Sequence, residues 1–212
     1  MLKRIFFIVL FTLVGIGVIF AFFSLQKNVE MTQQAKLSSF EATPNIFPAP
    51  ADLGGPFTLL THKGELVTDK TFHGKVVLMF FGYTYCPDYC PMELQNLTEV
   101  LKLLDKDRLG DKVQPIFITI DPKRDTKELL AGFVKRYDPR VIALTGKDED
   151  LESLRKAYKV FTSKVDDGSD FYLMDHSTFL YLIDQQGKLV SMVRYGTEPA
   201  EIAAAVKELL MN

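Results

Sequence analysis

Six apolar side chains follow one another at residues 76–81 with no polar interruption, the pattern of a strand buried on both faces. The period then changes. Leu94, Leu97, Leu101 and Leu104 fall three or four apart within 92–104, which lines them along one side of a helix. A second buried strand is predicted at 113–120, stopped by Asp121-Pro122. Asp125-Thr126-Lys127-Glu128 then opens a helix to about residue 137 with a capping-box-like start. A short strand at 141–144 and a helix at 148–158 follow. Residues 160–164 and 171–173 read as hairpin arms closed by Asp166-Asp167-Gly168-Ser169, and 179–183 and 189–195 as arms around Asp184-Gln185-Gln186-Gly187. A smaller hairpin, 57–61 with 65–68, surrounds Lys63-Gly64. The last helix spans 199–210 with Ile202, Val206 and Leu209 inward. Strands alternating with helices, then an antiparallel pair and a closing helix, predict an α/β domain whose mixed central sheet is covered on both faces.

The start of the chain has another pattern. After Lys3-Arg4, residues 5–23 carry no charge, a run long enough to span a bilayer, for which about 17 to 25 residues are needed. A cleaved signal peptide has a shorter apolar core and a small-residue cleavage site, and Ala21-Phe22-Phe23 is a poor one. The reading is an uncleaved N-terminal transmembrane helix with its basic tail in the cytoplasm and the rest exported. Residues 26–50 are polar and dotted with Pro44, Pro48 and Pro50, apart from a short helix expected around 31–40. The predicted organisation is tail and anchor at 1–25, linker at 26–50 and one domain at 51–212.

An apolar content of 47% supplies a core, and a net charge of −2 with scattered basic residues gives nucleic acid no surface to bind. The chemistry concentrates in residues 80–91. This stretch holds both cysteines of the chain, Cys86 and Cys90, between a buried strand and a helix. Two in a pair suit an oxidising compartment or a metal site. With Pro87 as first helical residue, the two lie on one helix face with Cβ atoms roughly 5 to 6 Å apart, a gap that a soft metal bridges more easily than a disulfide does. With Pro91 first and Cys90 as cap, Cys86 is left in a turn. The spacing allows both registers. In either, a helix N-terminus favours thiolate.

Three segments in order, Cys86-Pro87-Asp88-Tyr89-Cys90-Pro91, Thr119-Ile120-Asp121-Pro122-Lys123-Arg124-Asp125-Thr126, and Asp175-His176-Ser177-Thr178 followed by Tyr181-Leu182-Ile183-Asp184, resemble the Sco family (SenC, synthesis of cytochrome c oxidase). The resemblance runs from about residue 50 to the C-terminus. It implies a thioredoxin-like fold on a membrane anchor, with copper held by Cys86, Cys90 and His176. It also implies a copper metallochaperone, without turnover of its own, that delivers copper to the CuA centre of cytochrome c oxidase subunit II. The alternative that the family offers is a thiol-disulfide oxidoreductase that reduces the CuA-site cysteines, with Cys86 and Cys90 as the redox pair. Further expected partners are another copper chaperone or a thioredoxin-like reductant. The immediate apolar run resembles the bacterial form, placed in the inner membrane with its domain in the periplasm or outside the cell.

On chemical grounds two soft thiolates and an imidazole suit copper, of either valence, whereas structural zinc wants four ligands. His62 and His73 are the spare imidazoles, both in polar turns. Asp121 and Asp125 read equally as site residues or as a strand-end turn and a helix cap. Asp175 is a candidate to orient His176, Asp88 a helix-start acid, and Tyr83, Tyr85 and Tyr89 candidates to shield the metal or to form a docking surface. Nothing in the sequence matches a thiol peroxidase site.

Overall fold

A computed structural model describes residues 21–29, 31, 44–165 and 172–211. The chain divides into two compact units, 1–44 and 45–212. In the first, residues 21–29 and 31 are helical and exposed. Most of the expected anchor at 5–23, and the helix expected around 31–40 apart from Met31, lie outside the described residues. Among the described residues no helix is long and apolar enough to cross a membrane.

The second unit is built in the order β1 (Ile46–Pro48), β2 (Thr58–Thr61), β3 (Leu66–Thr68), β4 (Val76–Gly82), α1 (Tyr89–Lys106), β5 (Val113–Thr119), α2 (Lys127–Val134), β6 (Ile142–Thr145), α3 (Asp148–Ala157), β7 (Thr162–Val165), β8 (Leu173–His176), β9 (Leu180–Ile183), β10 (Leu189–Val193) and α4 (Pro199–Met211). Eight strands form one mixed sheet in the order β1-β10-β9-β4-β5-β6-β2-β3. β4 lies at its centre, parallel to β5 and antiparallel to β9, while β5 runs parallel to β6. All seven residues of β4 and all seven of β5 are buried, which accounts for their unbroken apolar runs.

Strand alternation sends successive β4 side chains to opposite faces. Phe80 meets Phe117, and Phe117 in turn meets Phe133 of α2, with centroids 6.3 and 5.3 Å apart. Phe81 meets Tyr158 and Tyr181, each at 5.7 Å. On α1 the predicted stripe of Leu94, Leu97, Leu101 and Leu104 is fully buried. Each of these leucines contributes on the order of 2 kcal/mol, and α1 packs along α4.

Three local readings change. Residues 46–48, assigned to the linker by their polar, Pro-containing surroundings, pair with β10 as the edge strand β1, an edge being where Pro48 is tolerated in a sheet. Thr126 rather than Asp125 caps α2, its hydroxyl accepting from Leu129 N–H, and the helix ends at Val134. β7 and β8 form a separate two-stranded ribbon whose second arm is Leu173–His176 rather than 171–173, with Thr162 opposite His176. The turn expected to close it lies outside the described residues.

Candidate metal centre

β4 ends on Gly82, and the chain turns there into the cysteine loop. A Cβ on Gly82 would stand 2.6 Å from Cys90 Sγ and 2.8 Å from Phe117 Cε2, so the missing side chain leaves the space that the sulfur fills. Thr84 is pinned next. Asp125 accepts from the Thr84 N–H at 3.2 Å, from the Thr84 hydroxyl at 2.5 Å and from the Thr119 hydroxyl at 2.6 Å. Asp125 is therefore a buried anchor for the loop and not a helix cap; burial pushes its carboxyl above the usual range despite these donors.

α1 begins at Tyr89, so neither predicted register holds. Cys90 is its second residue and Cys86 lies in the turn before it. Asp88 occupies the cap position without a side-chain cap bond. Instead Cys86 Sγ accepts from the Cys90 N–H at 3.4 Å, the role that a cap oxygen normally plays. Both cysteines are free and buried, Cys86 6% and Cys90 0% exposed. Hydrogen bonding from the Cys90 thiol, with further help from the Cys90 and Asp88 backbone, overcomes burial and brings Cys86 down to about 4. Burial pushes the Cys90 thiol strongly up, reinforced by its bond to Cys86. The pair is a thiolate beside a thiol.

His176 arrives from β8. Its Nδ1 faces the Ser177 carbonyl at 2.8 Å, which fixes Nδ1 as the protonated nitrogen and leaves the Nε2 lone pair toward the sulfurs, 3.7 Å from Cys90 Sγ. Phe80 and Tyr83 hold the ring edge-on, with centroids 6.1 and 5.9 Å away. Asp175, the candidate for orienting this ring, is exposed, and the Ser177 backbone supplies the acceptor instead.

The donor atoms of Cys86, Cys90 and His176 all lie within 4.8 Å of one another. Ligands about 2.0 to 2.3 Å from one metal ion stand roughly 3.5 to 4 Å apart, so the three need to close by only about an ångström. They are the group with metal-ligand spacing among the described residues, and no fourth His, Cys, Asp or Glu joins them. His62 is occupied elsewhere, its Nδ1 accepting from the Ala143 N–H at 3.1 Å, and His73 lies exposed beside the Gly187 turn.

The three tyrosines separate. Tyr83 is buried, and its hydroxyl accepts from the Met174 N–H at 3.1 Å, whereas Tyr85 and Tyr89 are exposed beside the site, Tyr89 against Tyr195 at 5.0 Å. Sequence reasoning missed Arg124. It donates to Asp121 and to the Tyr172 carbonyl and stacks on the Tyr172 ring. Only its place between two aspartates at a strand end hinted at a partner.

A thioredoxin-like sheet and helix layout, with two thiols at a helix mouth and an imidazole facing them, defines a thiol-based metal or redox domain. Comparison with known proteins narrows the class. The SCO1/SenC family model matches residues 47–211, and the chain belongs to that family. It is 42% identical over 184 residues to the mitochondrial SCO1 homolog of Mus musculus, covering 86% of this chain and just under two thirds, 65%, of the relative. It is 35% identical over 202 residues to the SCO2-like protein of Rickettsia felis, covering 94% of each. Among solved structures it is similar to Bradyrhizobium japonicum ScoI with copper bound, at 40% identity and a TM-score of 0.69, covering 74% of this chain and 99% of that one.

Proposed function

We propose that this protein is a copper metallochaperone that binds copper through Cys86, Cys90 and His176 and delivers it to the CuA centre of cytochrome c oxidase subunit II. The observation that carries the reading is the convergence of three donors, from segments 86 residues apart, to within 4.8 Å. The copper-bound B. japonicum relative supports the choice of metal, as does the donor set, since thiolates are soft ligands and imidazole accepts either copper valence. Cys90 gives up its proton when metal binds, so loading releases acid. Three ligands leave a position open for an incoming donor from the acceptor protein. In this reading residues 1–25 anchor the protein in a bacterial inner membrane, a tether runs to the start of β1, and the domain works on the exported side.

Copper titration of the full chain, reduced, tests the ligand set. Wild type binds one copper; Cys86→Ala and Cys90→Ala abolish tight binding; His176→Ala weakens it by roughly tenfold or more, the scale on which metal sites respond to lost support. Stoichiometry and affinity unchanged by His176→Ala would overturn the three-ligand site.

The thiolate and thiol pairing of Cys86 and Cys90 favours a second reading, reduction of the CuA-site cysteines. Cys86 would attack the disulfide of the target, one target sulfur would leave as a thiolate, and Cys90 would then displace the other to form Cys86–Cys90. An external thiol must re-reduce the pair in each cycle. Copper-free turnover with an oxidised CuA domain and a thiol donor is the expected result of this reading; its absence leaves delivery alone.

A further inference from the structure

His176 lies outside the main sheet, at the end of β8 and four residues before β9. Among the described residues β8 pairs only with β7, in a ribbon separate from the eight strands that carry Gly82 and the cysteine loop. How near the imidazole comes to the sulfurs is thus set by the short link to β9, by the Ser177 N–H to Phe161 carbonyl bond and by side-chain contacts along the ribbon.

Those side chains meet at Arg124. Its Nε donates to Asp121 Oδ2 at 2.5 Å and its Nη1 to the Tyr172 carbonyl at 2.7 Å. Its guanidinium lies 3.5 Å from the Tyr172 ring centroid, 4.7 Å from that of Tyr85 and 5.7 Å from that of Tyr83. The Tyr172 hydroxyl returns to Asp121 Oδ1 at 2.9 Å, closing a ring of contacts. Two residues on, the Met174 N–H donates to the Tyr83 hydroxyl, so the ribbon is fastened both to the end of β5 and to the residue that follows Gly82.

Arg124 is only 16% exposed, Asp121 only 4%, and Arg124 Nη2 is buried with no hydrogen-bond partner. An ion pair so enclosed is weak evidence for stability, because desolvation offsets most of the attraction. Its geometry is more informative. A planar fork is the one side chain able to hold a carboxylate and a carbonyl while stacking on an aromatic face.

We infer that Arg124 is a positioning residue for the metal centre: through Asp121 and Tyr172 it holds the β7–β8 ribbon against the cysteine loop and so sets the reach of His176 to Cys86 and Cys90. The inference rests on the three-ligand reading above. Without the fork the two thiols keep their places in the core, while the imidazole loses its register.

The test compares the full chain, reduced and loaded with Cu(II), as wild type, Arg124→Gln, His176→Ala and the double variant. The readouts are the thiolate-to-copper absorption, the electron paramagnetic resonance spectrum and copper affinity by chelator competition. If wild type and His176→Ala share one spectrum and affinity, the three-ligand reading itself fails. If they differ, Arg124→Gln is expected to move to the His176→Ala spectrum and to lose about tenfold in affinity, the lower end of what support residues of metal sites cost. In the His176→Ala background the same substitution is expected to add less than about twofold. A wild-type spectrum in Arg124→Gln overturns the inference while the three-ligand reading stands. So does an equal tenfold loss in both backgrounds, which marks a general structural role. Should Arg124→Gln not fold, Arg124→Lys keeps the charge beside Asp121 but lacks the fork; an altered spectrum is expected there, and a wild-type one overturns the inference.

Discussion

Cys90 stands on a helix whose leucines are sealed in the main core, above a glycine that leaves room for its sulfur and little else. His176 stands at the end of a ribbon that, among the described residues, pairs with no strand of the large sheet and is held by a tyrosine hydroxyl, an arginine fork, a stacked ring and a backbone bond from Ser177 to Phe161. One side of the centre is fixed by burial, which is non-directional and large in sum. The other is fixed by a few directional contacts worth little each. The copper site proposed above would then keep its two sulfurs as long as the domain is folded, with the imidazole adjustable.

The largest expected contrast is between the two sulfurs themselves. Alkylation of Cys86 should follow thiolate with a midpoint near pH 4, some five units below its ordinary value of 9.0, while Cys90 should stay protected across the same range; both titrating together near pH 8 or 9 would erase the asymmetry. The depression also has a sign for stability. The contribution of the Cys86 thiolate is complete above pH 9, where the unfolded thiol also ionises, and is lost as pH falls towards 4.

Next comes the floor of the cysteine side. Gly82→Val drives methyl groups into Cys90 and Phe117, and should lower stability by about 3 kcal/mol and displace the thiols; an unchanged melting temperature would show the floor to be looser than described. A smaller effect is expected one turn along α1, where Glu93 is 2% exposed and burial pushes its carboxyl up to about 7. The burial penalty is absent below pH 4.5, grows as pH rises and is full above 7. Glu93→Gln should therefore raise stability at pH 8 and change it by almost nothing at pH 4, as urea melts at the two pH values would report. The smallest change belongs to the ribbon. His176→Ala should alter apo stability by about 1 kcal/mol, and a loss of several would mean that the imidazole is a pillar of the fold rather than a guest at its edge.

Much of this is legible in the sequence. The runs at 76–81 and 113–120, and the leucines of α1, carry the periodicity that burial imposes, and they landed where expected. The union of Cys86 and Cys90 with His176 came from the resemblance of three motifs; no local pattern says that residues so far apart in sequence converge. The start of α1 was misplaced because Pro87 and Pro91 both suit a first helical position, and no propensity scale expects a cysteine sulfur to serve as the cap. β1 was hidden because three residues ending in proline carry too little pattern to announce a strand. Arg124 and the Ser177 carbonyl were invisible for a different reason: their roles exist only between segments that the chain keeps apart.

The sulfur that begins α1 has one more consequence. Because the Cys90 amide proton hangs on a Cys86 lone pair, any atom that bonds to that sulfur must disturb the Cys90 backbone amide. A single nitrogen-labelled resonance would then report a new bond at Cys86, with no probe attached and no side chain replaced.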